Sequence, residues 1–375
     1  MPGRVSRTSL IYGPMKLLFL FTILFAAGCR PAGEAAKPQH IAAEAPVFRD
    51  SIVLPTAKVK NQARSGTCWA FGTVAVMESE LLREDPARQV DLSEMWFVRH
   101  AYREKAVRYV RTRGAQEFGQ GGELYDVLHL MKRYGVVPQE VYDGRCRDGE
   151  YDHRALARAV HRWAERTVRK RRYAEEGWME ELDALLDERL GPCPGEFEAE
   201  GVRYTPAGYA EALGLRAEEY VSLTSFTHHP FYEPFVLELR DNWTGEASLN
   251  VPLDTLVAAV NRALAAGHTV GWNADISEPG FRWLHGMAGV RRGTDCSQEG
   301  RQEAFDRLET TDDHVMQIVG LARSGEGRKA YKVRNSWGVD NARGGYLYVS
   351  EGYLRLKTVE VLLPRAIVGR SAAGE

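Results

Sequence analysis

The chain has 375 residues, 49 Lys and Arg against 51 Asp and Glu, and a formal net charge of −2. This length exceeds a typical single domain, so one large enzyme or two smaller lobes is expected. The near balance of charge gives no reason to expect nucleic acid. Basic runs such as 169–172 alternate with Glu175, Glu176 and Glu180, as on a solvated helix face.

The N-terminus reads as a targeting segment. Met15 and Lys16 precede an apolar run, 17–25, and then Ala26, Ala27, Gly28 and Cys29. A basic start, a short apolar run and small residues predict a secretory signal over 1–28, with Met15 as an alternative start. The run is too short for a comfortable membrane span. Cys29 after Ala-Ala-Gly resembles a bacterial lipobox, in which the cysteine is lipidated. The alternative is an ordinary signal with an incidental cysteine. Either way the expected location is the bacterial cell envelope, as an anchored lipoprotein or a periplasmic or secreted protein. Residues 29–50, rich in Ala, Pro and Gly over 30–46, read as a flexible tether.

A folded domain is expected over 51–365. Apolar residues at near-helical spacing over 69–83 predict a helix beginning at Cys68. A second helix is predicted over 94–109 with Ser93 as its cap, and a third over 123–134 after a glycine-rich turn at 119–122. Residues 154–190 read as one or two helices within an insertion spanning about 151–203, with Trp163, Trp178 and Leu185 packing onto the main body. Strands are expected around 220–223, 269–272, 315–321, 330–333 and 346–349, leaving a tail at 366–375. A helical first half and a strand-rich second half predict a two-lobed α+β architecture with a cleft between the lobes.

The chemistry-bearing stretch is 61–71, Asn-Gln-Ala-Arg-Ser-Gly-Thr-Cys-Trp-Ala-Phe. A helix starting at Cys68 aims its positive end at the sulfur and favours the thiolate. Gln62, six residues upstream, is placed to point its amide at a carbonyl oxygen under attack. His314, after Asp312 and Asp313, and Asn335, before Ser336 and Trp337, supply the other members of a Cys-His-Asn arrangement.

These segments, in this order, resemble the papain-like cysteine peptidases, in particular the bleomycin hydrolase and aminopeptidase C branch. Ser65, three residues before the nucleophile, stands where papain-type enzymes usually carry a second cysteine. Gly121-Gly122-Glu123-Leu124, Tyr134-Gly135-Val136-Val137-Pro138, Val251-Pro252-Leu253 and Gly267-His268-Thr269-Val270-Gly271-Trp272 resemble further stretches of that branch. The resemblance runs from about 52 to 364, with one poorly matching stretch inside it.

It implies a papain-like fold and peptide substrates, with no metal or other cofactor. Cys68 is the expected nucleophile, His314 its protonated partner and Asn335 the group that orients the imidazole. Gln62 and the Cys68 N–H form the expected oxyanion site. Trp69 and Trp337 support, Trp337 by covering the His-Asn bond, and Gly121 and Gly122 lie against substrate backbone. Trp272, Trp283 and Met287 are expected pocket walls. Aminopeptidase activity is implied; an exported endopeptidase with an open cleft, an acyl-transfer enzyme and a non-catalytic binding module are the alternatives. The family's C-terminal arm ends in the cleft, whereas the tail here lacks that arm's apolar ending, and whether Glu375 reaches the cleft is open. Export sets the chain apart from cytosolic members, so their hexameric assembly is not carried over. Cys146 and Cys193 either pair as a disulfide or are buried free thiols.

Overall fold

The helix expected after the cysteine loop begins at Cys68 itself. In the computed structural model the described residues are 47–369 apart from 89, 117 and 145–150. The expected signal, Cys29, Cys146 and Glu375 therefore lie outside the described residues, and so does most of the tether.

The helices are α1 (Cys68–Glu84), α2 (Glu94–Arg111), α3 (Leu124–Tyr134), α4 (Arg154–Arg169), α5 (Trp178–Leu190), α6 (Pro206–Ala212), α7 (Leu253–Ala265), α8 (Gln298–Asp306) and α9 (Glu351–Lys357). Ser93 caps α2 by accepting the Trp96 N–H at 3.0 Å, as its residue type predicts. Glu123 sits just outside α3 rather than within it, in a reciprocal capping box with Asp126. The segment 154–190 resolves into two helices. Trp163 and Trp178 are buried and stack at 5.8 Å between centroids, whereas Leu185 is only partly covered.

The strands are β1 (Phe48–Val53), β2 (Phe197–Ala199), β3 (Val202–Tyr204), β4 (Tyr220–Thr224), β5 (Pro234–Val236), β6 (Ala247–Asn250), β7 (Val270–Ala274), β8 (Phe281–Arg282), β9 (Met287–Ala288), β10 (His314–Ser324), β11 (Lys329–Arg334), β12 (Tyr346–Ser350) and β13 (Thr358–Pro364). One mixed sheet runs β5-β6-β4-β13-β7-β10-β11-β12-β9-β8, with β1 also on β10, and β2 and β3 form a separate hairpin. The architecture is α+β with the papain-like division. One core is built mainly from the helices, and a second is built on the sheet.

Two expectations are corrected. Residues 48–50, assigned to the tether, pair with β10 through Phe48↔Ser324 and Arg49↔Arg323, so the sheet begins before residue 51. Trp272, an expected pocket wall, is fully buried in β7, and its Nε1–H donates to Thr358 Oγ1 at 2.8 Å. β7 packs against α1, α3 and α7, and all five of its residues are buried.

The contact between α1 and β10 positions the site. A Cβ on Gly72 would fall 2.5 Å from Val315 Cγ1, so only glycine lets the helix lie this close to the strand. Gln317, on β10, donates its amide to Ala75 O, Ser79 Oγ and Thr269 Oγ1 at 2.8–2.9 Å. That locks the helix, β10 and the start of β7 together.

Candidate active site

Cys68 opens α1, with Thr67 as N-cap making no side-chain capping bond and no acidic residue in the first turn. The helix dipole therefore meets the sulfur without a competing carboxylate on the helix's own first turn. The Cys68 sulfur accepts backbone N–H groups from Val315 and Trp69. Val315 directly follows His314, so the sulfur lies at the end of β10 that carries the imidazole although the two are far apart in the chain.

His314 opens β10 and is buried. Its Nε2 bonds Asn335 Oδ1 at 2.7 Å, and the Ser336 N–H reaches the same oxygen at 2.7 Å. The backbone donor identifies that Asn atom as the oxygen, so the ring carries its proton on Nε2 and leaves Nδ1 as a base. Asn335 Nδ2 is buried without a partner. Trp337 covers the imidazole at 4.7 Å between centroids and is braced edge-on by Trp283 at 5.4 Å. Trp283 thus supports the cover, while Met287 is half-buried on β9, next to Tyr348 of β12.

Gln62 is held from both ends. Its Nε2 donates to Ser65 O at 2.8 Å, and its Oε1 accepts the Ser336 hydroxyl at 2.6 Å. One amide proton is spent on Ser65, and the other remains for an oxyanion. Ser65 is buried, bonding Gln62 O at 2.7 Å and Thr67 Oγ1 at 2.6 Å. Gln120, not singled out from sequence, ties the glycine turn to this loop. Its Oε1 accepts the Gly66 N–H at 2.9 Å, and its carbonyl accepts Trp69 Nε1–H at 3.0 Å.

Burial works against the expected thiolate-imidazolium pair. Burial pushes the Cys68 thiol up to about 12, and the Asp312 and Asp241 carboxylates add to that rise against the two N–H bonds. Burial lowers His314 to about 4, opposed by the Asn335 bond and the Asp313 charge. Both effects disfavour the charged forms, so the ion pair forms against the cost of burial. Asp312 is itself pushed up to about 6 by burial, and Glu123 is raised well above the carboxylate range by burial and by Asp312.

The bare faces of the glycine pair are occupied by the protein's own side chains. A Cβ on Gly122 would lie 2.6 Å from Asp126 Oδ2 and 3.1 Å from the Trp69 ring, and one on Gly121 would lie 1.9 Å from Asp241 Oδ2. Sequence reasoning missed Asp241, because no local pattern links it to this turn.

Two other features carry no part of the site. A cavity of about 710 Å³ bounded by Glu80, Arg83, Tyr220, His268 and Arg365 lies at the far end of α1 from Cys68. His228, His229 and Glu238 have their potential ligand atoms within 4.8 Å of one another. Gln302, its carbonyl engaged by the Thr227 N–H, donates to His228 Nδ1 at 3.1 Å. That leaves the His228 proton on Nε2, facing Glu238 at 3.4 Å, where a cation would need a lone pair.

Comparison with known proteins agrees with this architecture. The Papain family cysteine protease model matches residues 48–192, and the Peptidase C1-like family model matches 200–373. The structure of PepW from Lactobacillus rhamnosis superposes with a TM-score of 0.70 at 19% identity, covering 87% of this chain and 84% of that one. The chain is a cysteine peptidase, similar to the papain family along both segments and to curated relatives named aminopeptidase C. It is 23% identical to aminopeptidase C of Streptococcus thermophilus over 369 residues, covering 84% of this chain and 82% of the relative. It is 25% identical to aminopeptidase W of Lactobacillus delbrueckii subsp. lactis, with the same coverage.

Proposed function

We propose that this peptidase is an exported aminopeptidase of the bacterial cell envelope, working through Cys68, His314, Asn335 and Gln62. The observation that carries the catalytic reading is the 2.7 Å bond from His314 Nε2–H to Asn335 Oδ1. It leaves Nδ1 free to take the proton from a sulfur that bonds the adjacent Val315 N–H.

In this scheme Nδ1 removes the thiol proton as Sγ attacks the scissile carbonyl. The oxyanion takes hydrogen bonds from the free Gln62 amide proton and the Cys68 N–H. The imidazolium then protonates the leaving amine as the C–N bond breaks, giving a thioester. Water, deprotonated by the neutral imidazole, attacks the thioester and releases the acid, restoring the thiol. Trp337 shields the His-Asn bond from solvent. Gly121 and Gly122, whose bare faces are filled by Asp241, Asp126 and Trp69, admit those side chains rather than substrate backbone.

The aminopeptidase reading draws on the names of the relatives, and export on the 15–29 segment with Cys29 as the lipidated residue. Digestion of a peptide library with free and N-terminally blocked members tests the former. Cleavage of free amines alone supports it, and equal cleavage of both makes the enzyme an endopeptidase. Mass analysis of the mature N-terminus tests the latter: a diacylglyceryl adduct on Cys29 supports an anchor, and an unmodified N-terminus removes it.

A further inference from the structure

We infer that Asp241 selects substrates by their free N-terminal ammonium, holding it against the turn at residues 119–121 beside Cys68. This rests on the reading of the site as an N-terminus-trimming peptidase. It names the group that would enforce it.

The argument begins with placement. A Cβ on Gly121 would lie 1.9 Å from Asp241 Oδ2 and 2.9 Å from Oδ1, and one on Gly119 would lie 3.6 Å from Oδ1. The carboxylate therefore rests on the bare side of the turn, and glycine at 121 is what admits it. Gln120, within the same turn, is bonded to Gly66 and Trp69 on either side of the nucleophile. The Cys68 sulfur feels the Asp241 charge. A chain end held by Asp241 thus has its first peptide bonds near the sulfur.

Charge supports the placement. Asp241 is half-buried, and among the described residues its carboxylate has no ion-pair partner and no recorded side-chain hydrogen bond. The nearby cation, Lys105, is buried and directs its ammonium to the carbonyls of Gly119 and Gly121. Lys105 feels Asp126, Asp241 and Glu123 together, so one buried lysine faces several carboxylates. Asp312 presses on the sulfur from the same surroundings, and it shares a side-chain hydrogen bond with Glu123.

An α-ammonium, with an ordinary pKa of about 7.7–8.0, is charged at neutral pH and carries three donors. An acetylated terminus offers one neutral N–H and more bulk, and leaves the carboxylate without its counter-charge. Losing a hydrogen bond to a charged group corresponds to about 10- to 100-fold in affinity. The bound ammonium also offsets the negative charges that oppose thiolate formation at Cys68, so the correct substrate eases the first proton transfer.

The experiment compares a free-amine dipeptide anilide with its N-acetyl form on the full chain, for wild type, Asp241→Asn and Asp241→Glu, with a thiol titration of Cys68 to count folded sites. Wild type should favour the free amine by about 100-fold in kcat/KM, fading as pH rises past the amine's pKa. Asp241→Asn should bring the ratio to within about tenfold of one, mainly through the KM of the free-amine substrate, and Asp241→Glu should restore part of it. A wild-type preference that survives Asp241→Asn overturns the role of Asp241 and leaves the aminopeptidase reading standing. A wild type with no preference overturns both.

Discussion

The two sides of the site are organised by different forces. On the His314 side every orientation is fixed by directed bonds: Asn335 Oδ1 takes two donors, Ser336 holds Gln62, and Trp337 caps the ring. On the glycine-turn side the prominent groups are carboxylates, Asp241, Asp312, Glu123 and Asp126, set around a single buried lysine. The first side is built to move a proton between fixed atoms. The second is built to attract a positive charge. Positioning and selectivity are therefore separable by mutation.

The largest effect should come from the bonded side. His314→Ala removes the base and should lower kcat by at least about 10²–10⁴, with Cys68 still present. Steady-state rates on a free-amine substrate check this. Gln62→Ala should cost about 10²–10³ in kcat, the worth of one oxyanion donor, with little change in KM. Ser336→Ala removes only the bond that steadies Gln62, about 1 kcal/mol or roughly fivefold. A Ser336→Ala loss as large as that of Gln62→Ala would show that the hydroxyl acts directly.

The carboxylate side is probed by alkylation of Cys68. With the thiol pushed up to about 12, the iodoacetamide rate should climb steadily from pH 6 to 9 in the free enzyme. A rate already at plateau near pH 5 would mean a thiolate-imidazolium pair at rest.

The smallest effect concerns stability. Asp126 is raised to about 7 by burial, against the pull of Lys105. A carboxyl whose pKa is higher folded than unfolded contributes stability at low pH and loses it as pH rises from about 4 to about 7. Tm should therefore fall across that window, and fall less in Asp126→Asn. An equal slope in the variant would clear Asp126 of the effect.

The bonded side was largely legible in the sequence, and the charged side was not. Cys68 opens a helix whose apolar spacing is local, and His314 and Asn335 head or follow short apolar strands. Fold class could therefore be read from segments, while the joining of these residues into one site was implied by the resemblance to papain-like peptidases. β13 carries an apolar run, 361–363, yet its place in the sheet between β4 and β7 depends on pairing across the whole domain. Trp272 failed as a pocket wall for a similar reason, since only the packing of α1, α3 and α7 on the sheet shows that β7 is fully buried. Asp241 sits in a loop after β5 with no periodic signal, and its role appears only where its carboxylate meets Gly121.

The most direct measurement is active-site labelling with an epoxide-type thiol inhibitor, followed by peptide mapping. One label per chain on Cys68, loss of hydrolysis in step with labelling, and a folded but inactive Cys68→Ala protein are predicted. Label on Cys193 or Cys296 in place of Cys68, with hydrolysis intact in Cys68→Ala, would contradict the assignment of the nucleophile.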